Sequence, residues 1–368
     1  MKFRFLKACH GDCILISFED KEKVKRNILI DGGTSKTYRF KNNKGKFEDG
    51  VLKNLIDELN QKNEKIDILI LTHDDSDHIG GLISWFENKN FDPNLIGELW
   101  FNSSKNVAEF FSESENIDNI KELNLETDST NTSTKQRIKF EYFIENKNIS
   151  NRKIVKSCDK FNDFEFGVEF KILSPKENKL QKMLDKYEKE KTNTNTSSKP
   201  NDYNSTLKEH IDKDEDNIDK VKSKFKEDAT VPNGSSISFI LTFNEKNYLF
   251  LADSHPSDII ESLINFGYSE TSPLKADFVK VSHHGSSFNT NYELLKLIDS
   301  NNFVILTNGD IHQLPDKKCL ARIINFNQIK NRNTNLFFNY IERSKRIFKE
   351  NDKNDFSFSI LDSDTINN

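Results

Sequence analysis

The chain has no C-x-x-C pair, no apolar run of membrane-spanning length, no internal repeat and no excess of basic charge. Its four cysteines, Cys9, Cys13, Cys158 and Cys319, are scattered, so no four-thiolate zinc site is written into the sequence and reduced, ordinary thiols are expected. The stretch Met1-Lys2-Phe3-Arg4-Phe5-Leu6-Lys7 is too broken by charge for a secretory h-region, and the expectation is a cytoplasmic protein without membrane contact. Basic and acidic side chains number 54 and 59 and are well mixed, and the net charge of -5 excludes a global basic field for nucleic acid. Apolar residues are also scarce. At 35% apolar, 31% charged and a mean hydropathy of -0.72, much of the 368 residues must lie in polar segments, and the core is smaller than the length allows.

Short apolar runs bounded by turn residues predict strands over 12–18, 27–30, 66–71, 167–173, 236–243, 248–252, 277–282 and 303–307. Apolar spacing predicts helices over 51–59, 256–266 and 316–326, and 244–247 reads as the turn of a hairpin. Strands that first pair as hairpins and later alternate with helices predict an α/β (α+β) fold, sheets covered by helices. The stretch 102–162 is polar with weak periodicity. Residues 176–230 read as a lysine-rich, charged insertion, partly disordered or helical, because little apolar surface is available there to offset ordering entropy. The expected organisation is one domain over 1–345 containing that insertion, with a tail over 346–368.

The chemistry concentrates after three strands. His73-Asp74-Asp75-Ser76-Asp77-His78 follows one apolar run, Asp253 ends another, and His283-His284 follows a third; strand ends are rigid places from which to converge metal ligands. Taken singly, the aspartates could favour the start of a helix and the histidines could be surface loops. Jointly, five of the eight histidines, His73, His78, His255, His283 and His284, fall in these short loops, which favours a metal site. Neither register of a calcium loop places ligands correctly, and no H-E-x-x-H is present.

T-H-D-D-S-D-H-I-G-G, at 72–81, resembles the T-H-x-H-x-D-H-x-G-G loop of the metallo-β-lactamase superfamily, with aspartate at position 75. Asp31-Gly32-Gly33, the strand-end Asp253 and V-S-H-H-G-S at 281–286 follow in the family's order. G-D-C-I-L-I near the start, H-H-G-S and N-G-D-I-H-Q-L-P are similar to the metallo-hydrolase domain of the competence DNA-uptake protein ComEC and its soluble relatives. The resemblance implies an αββα sandwich holding two divalent ions, zinc or manganese, with His73, Asp75, Asp77, His78, Asp253, His283 and His284 as the ligand candidates and Asp253 bridging. It leaves open which of His283 and His284 ligates. Asp75 stands where the family has a histidine, and a later histidine of the first site is missing, its place falling near Asn233; hard oxygen ligands then shift that site toward manganese or magnesium or leave it weakly held. Asn233 and Ser286 are candidates for substrate or ligand support, His312 for a phosphate binder or general acid. His255 reads as a turn residue and His10 as structural.

The function implied is metal-dependent hydrolysis, first of a phosphodiester or nucleic acid, with a hydroxide bridging two ions and Asp77 aligning it. DNA or RNA would then be substrate, gripped by local lysines or with a partner protein docked on the lysine-rich insertion. The alternatives are a hydrolase of a small ester, thioester, lactone or phosphorylcholine ester, and a non-catalytic scaffold in a multi-protein system.

Overall fold

The computed structural model describes residues 1–112, 132–163, 166–189, 201–214, 216 and 224–367. Strands β1 (Lys2–Phe5), β2 (Ile14–Glu19) and β3 (Lys25–Ile30) form an antiparallel meander. A small hairpin of β4 (Arg39–Lys41) and β5 (Phe47–Asp49) follows. Then β6 (Ile66–Ile70) and β7 (Ile96–Trp100) add in parallel to β3, giving the order β1-β2-β3-β6-β7. The second sheet starts with β8 (Lys160–Asp163), β9 (Val168–Ser174), β10 (Ser238–Phe243) and β11 (Lys246–Phe250), each antiparallel to the one before. Beyond the short β12 (Leu274–Lys275), β13 (Phe278–Lys280) pairs parallel with β11. Past β14 (Ile298–Asp299), which pairs with β12, the strands β15 (Asn302–Ile305), β16 (Thr334–Phe338) and β17 (Phe358–Asp362) extend the sheet in parallel.

Alternation along the strands makes the layers. Ile14, Ile16, Ile28, Ile30, Ile68 and Ile70 point inward to meet Phe239, Leu241, Tyr248, Phe250 and Phe278 of the other sheet. Their neighbours Leu15, Leu29 and Leu69 point the other way, onto Leu52, Leu55, Leu82 and Phe86 of the helices Val51–Gln61 and Ser76–Phe86. Likewise Ile240, Leu249, Val279 and Leu336 face Ile259, Leu263, Leu320 and Ile324 of the helices Pro256–Asn265 and Lys317–Ile329. The result is helices, sheet, sheet, helices, the αββα sandwich. In the β10–β11 hairpin, Asn244 and Glu245 both take positive φ, 48° and 62°, the two-residue turn whose twist matches the strands.

The polar stretches hold more structure than their composition suggests. Helix Thr132–Asn146 covers Phe86 with Phe140, their rings stacked 5.0 Å apart. Helix Glu177–Lys189 buries Leu180 and Met183 against Val107, and helix Leu207–Lys213 opens with a Thr206/Glu209 capping box. Within the expected insertion, residues 190–200, 215 and 217–223 lie outside the described residues, as do 113–131 of the earlier polar stretch. From the segment the sequence suggests as a tail, β17 forms the edge of the second sheet, with Phe358 and Ile360 against the core. Asn367 ties back to β1 through its side-chain amide, whose Oδ1 accepts from Phe3 N at 2.7 Å and whose Nδ2 donates to Phe3 O at 2.7 Å. Among the described residues no helix is long and apolar enough to cross a membrane.

Because β3 runs parallel to β6, and β11 to β13, all four strands finish at one edge of the sandwich. A backbone bond from Ile237 N to Thr72 O, 2.9 Å, stitches the two sheets together at that edge.

Candidate metal centre

Four strand ends supply the side chains: Asp31 after β3, His73 beyond β6, Asp253 beyond β11, His283 and His284 beyond β13. Helix Ser76–Phe86 then carries Asp77 and His78 in its first turn. Asp75 occupies the N-cap position of that helix, but its carboxylate makes no capping bond; its Oδ2 stands 3.6 Å from His73 Nε2. The acidic run is therefore not spent on helix capping. The glycines of the motifs serve close backbone approach: a Cβ on Gly81 would meet Gly32 O at 2.0 Å, and one on Gly11 would meet Asp77 O at 1.8 Å. Asp31, Ala252, His283 and His284 all take left-handed φ, +55°, +43°, +46° and +52°, strain of about 1 to 3 kcal/mol each that the packing around the site sustains.

Four imidazoles converge on one oxygen. Asp253 Oδ2 lies 3.5 Å from His78 Nε2, 3.7 Å from His284 Nε2, 3.8 Å from His283 Nε2 and 3.9 Å from His73 Nε2. Asp77 Oδ2 adds contacts of 3.2 Å to His284 Nε2 and 3.8 Å to His78 Nε2. Each ring is fixed from behind through Nδ1. His78 is held by Asp31 Oδ2 at 2.8 Å and His284 by Leu306 O at 2.8 Å, while His283 faces Asn289 Oδ1 at 3.1 Å and His73 faces Thr72 Oγ1 at 3.1 Å. Thr72 Oγ1 itself donates to Asp31, and the Asn289 amide donates to Asp228 Oδ2, so all four partners accept and the four rings carry their protons on Nδ1. Every Nε2 lone pair then faces Asp253.

That arrangement suits cations. The spacings about Asp253 exceed hydrogen-bond length, and His73 Nε2, His78 Nε2 and Asp253 Oδ1 are buried without a hydrogen-bond partner. Ligand atoms around an ion at roughly 2.0 to 2.2 Å stand roughly 3 to 3.5 Å apart, close to these separations. The groups His73/His78/Asp253 and Asp77/His78/His284 each bring three ligand atoms within 4.8 Å of one another, so the residues fit divalent metal. Without metal, protons take its place. Burial lowers the His284 pKa, but Asp253, Asp12 and Asp77 outweigh it and hold it at about 10. His78 and His283 are raised against burial by Asp253 and their other carboxylate neighbours. Burial pushes the carboxyls of Asp253 and Asp77 up, and the surrounding imidazoles pull both well below the usual range.

Of the other sequence candidates, Asn233 stands at the edge of the cluster: its Nδ2 donates to Asp228 at 2.6 Å and lies 3.3 Å from His283 Nδ1, leaving its buried Oδ1 unpartnered. Ser286 turns into its own loop, accepting from Phe288 N at 3.3 Å. His312 is exposed in the 308–315 loop, near enough to half-buried His10 to act on its charge; His10 in turn feels Asp77 and His284, although burial sets its lowered pKa. His255 begins helix Pro256–Asn265 and lies outside the four-imidazole cluster, with Nδ1 2.8 Å from Lys179 Nζ.

Sequence reasoning missed Asp12, Lys280, Asp228 and Asn289. Asp12 and Lys280 are 2% and 1% exposed and form an ion pair beneath the site, with Asp12 Oδ1 3.3 Å from His284 Nδ1. The readable signal was a lysine inside the apolar run F-V-K-V. Lys280 supplies the cation for the third acidic group, Asp12/Asp31/His78. Lys280→Met strands a buried carboxylate and is expected to cost about 3 to 5 kcal/mol in urea unfolding, with Asp12→Asn added to it recovering most of the loss. A double variant no more stable than Lys280→Met contradicts the pairing.

Residues 6–145 match the family model described as Metallo-beta-lactamase superfamily. No curated protein matches the chain. Among solved structures, a mutant of CmlA beta-hydroxylase shares 12% identity at a TM-score of 0.39, over 90% of this chain and 52% of that one. The chain thus spans about half the length of that protein. Metallo-β-lactamase superfamily members are mostly enzymes that work with divalent metals, and this chain has the corresponding αββα fold together with His/Asp groups able to hold such ions.

Proposed function

We propose that the chain is a metal-dependent phosphodiesterase or nuclease. The observation that carries this reading is the convergence of four Nε2 lone pairs on Asp253, with Asp75 and Asp77 adding hard oxygen donors. One ion would be held by Asp77, His78, His284 and Asp253, the other by His73, Asp75 and Asp253, with Asn233 Oδ1 and His283 at its edge. Carboxylate-rich donors suit manganese or magnesium alongside zinc. Bound there, divalent cations supply Lewis acidity and lower the pKa of water, the chemistry that phosphodiester cleavage needs.

The chain's own groups do the rest. Asp77 is the more open of the two central carboxylates, with 21% of its side chain exposed against 3% for Asp253, and it aligns the attacking water. Asp31, Leu306 O, Asn289 and Thr72 lock the imidazoles so that no ring reorientation accompanies the reaction. His312, exposed beside His10, delivers the proton to the leaving oxygen.

The test is degradation of single- and double-stranded DNA and RNA with manganese, together with metal analysis. The expected result is cleavage that falls by at least about 10²-fold in Asp77→Ala, the scale of one lost ligand and aligning group. A strong preference for an aryl ester over an aryl phosphodiester would overturn the choice of bond. Fewer than one ion per chain after manganese supplementation would point to the scaffold instead.

A further inference from the structure

Helix Glu177–Lys189 carries Lys179, Lys182 and Lys186 at i, i+3 and i+7, on one face and over about 10 Å of helix. At one end Lys179 meets His255 Nδ1 at 2.8 Å and Asp258 at 3.1 Å. At the other end the charge of Lys186 acts on buried Asp74, next to His73. Beside Lys179 and Lys182 opens a cavity of about 210 Å³, walled also by Asp228, Thr230 and His255. Asp228 belongs to both places: its Oδ2 is 3.5 Å from His283 Nδ1 and its Oδ1 is 4.0 Å from His255 Nε2. The cavity is therefore one carboxylate away from the imidazole cluster.

Two buried polar atoms of this wall, His255 Nε2 and Thr230 Oγ1, lack hydrogen-bond partners. An ammonium has no lone pair, so the Lys179 bond fixes the His255 proton on Nε2; the ring is 3% exposed and that nitrogen has no hydrogen-bond partner. The Thr230 hydroxyl is likewise buried without one. Lys182 forms no ion pair among the described residues. The carboxylates are spent elsewhere. Asp228 accepts from Thr230 N at 2.9 Å, Asn233 Nδ2 at 2.6 Å and Asn289 Nδ2 at 3.2 Å, and Glu227 accepts from Ser257 N at 2.7 Å and Ser257 Oγ at 2.9 Å. Buried donors left unmade are costly, so the lining favours a group rich in acceptor oxygens. The volume is below the roughly 300 to 1,000 Å³ that encloses a drug-sized ligand, and suits one small group.

We propose that this cavity and its lysine row form a subsite for a second phosphate group of the substrate, adjoining the phosphodiester at the metal centre. The inference rests on the phosphodiesterase reading and narrows it to substrates with at least two phosphates in series, as in an oligonucleotide. It also gives the inserted helix a role in substrate choice.

The experiment compares manganese-loaded wild type on the dinucleotides TpT, pTpT and TpTp. One of the phosphorylated forms is expected to exceed TpT by roughly tenfold in kcat/KM, mainly through KM, the scale of one charge-assisted contact. That preference should fall below about threefold in Lys182→Gln and in Thr230→Val, and persist in Lys345→Gln, where the exposed lysine pairs with Glu342. A wild type that cleaves TpT as well as both phosphorylated forms, or variants that keep the preference, would overturn the subsite. If no dinucleotide is cleaved, the phosphodiesterase reading falls, and titration of inorganic phosphate judges the cavity separately. Binding weakened at least about fivefold by Lys182→Gln retains it as a phosphate site, and unchanged binding removes it.

Discussion

Asp253→Asn is expected to cut bound divalent metal from about two ions per chain to fewer than one and to lower metal-dependent turnover roughly 10³-fold, the equivalent of about 4 kcal/mol. The substitution keeps the volume of the side chain and removes its charge. No other carboxylate in the centre lies within 4.0 Å of all four imidazoles, so no neighbour can take over its place among them. Metal analysis after dialysis and turnover on an aryl phosphodiester check the two halves separately. Two tightly held ions in the variant would mean that Asp253 is not a ligand and that the centre is assembled differently.

The core of the fold is legible because its apolar residues alternate in register with the pleat. Ile14/Leu15/Ile16, Ile28/Leu29/Ile30 and Ile68/Leu69/Ile70 each announce a strand covered on both faces. β1 and β7 escape that reading. In Lys2–Phe5 only Phe3 and Phe5 are buried, between charged residues, and Ile96–Trp100 is interrupted by Gly97 and Glu98. The helix Thr132–Asn146 escapes it too, because Phe140 is enough to seat a helix on a surface the core already provides.

At the site, the loop at 73–78 was readable from its residue types, whereas pairings across long separations in sequence were not. Lys280 finds Asp12 only because β13 of one sheet and the loop before β2 of the other meet at the same edge. His283 and His284 illustrate a second limit. Neighbours in an extended segment point to opposite sides, so sequence suggests one ligand of the two. Left-handed backbone at both residues instead sets the rings 6.0 Å apart with each Nε2 toward Asp253.

The metal-free chain should lose stability as pH rises from about 6.5 to 10, and the manganese-loaded chain should not. With its pKa raised from 6.5 to about 10 by Asp253, Asp12 and Asp77 over the opposing effect of burial, folded His284 holds its proton far longer than unfolded His284 does. A group raised in this way stabilises fully below its unfolded pKa, and that contribution fades until pH passes the folded value; for His284 it is on the order of 5 kcal/mol. His78 and His283 are raised in the same direction and add to the slope. On the acid side, Asp253 and Asp77 are depressed, so their contribution is present above the ordinary carboxylate pKa and is lost as acid protonates them. The metal-free chain should therefore be most stable between about pH 4 and 6.5. Metal reverses the upper slope, because a cation needs neutral imidazole and displaces those protons; its stabilisation grows as pH rises. Denaturant unfolding of chelator-treated and manganese-loaded protein from pH 5 to 9.5 should give two lines that diverge toward high pH. Parallel lines would show that protons and metal do not compete for His78, His283 and His284, and the convergence on Asp253 would then have to be structural.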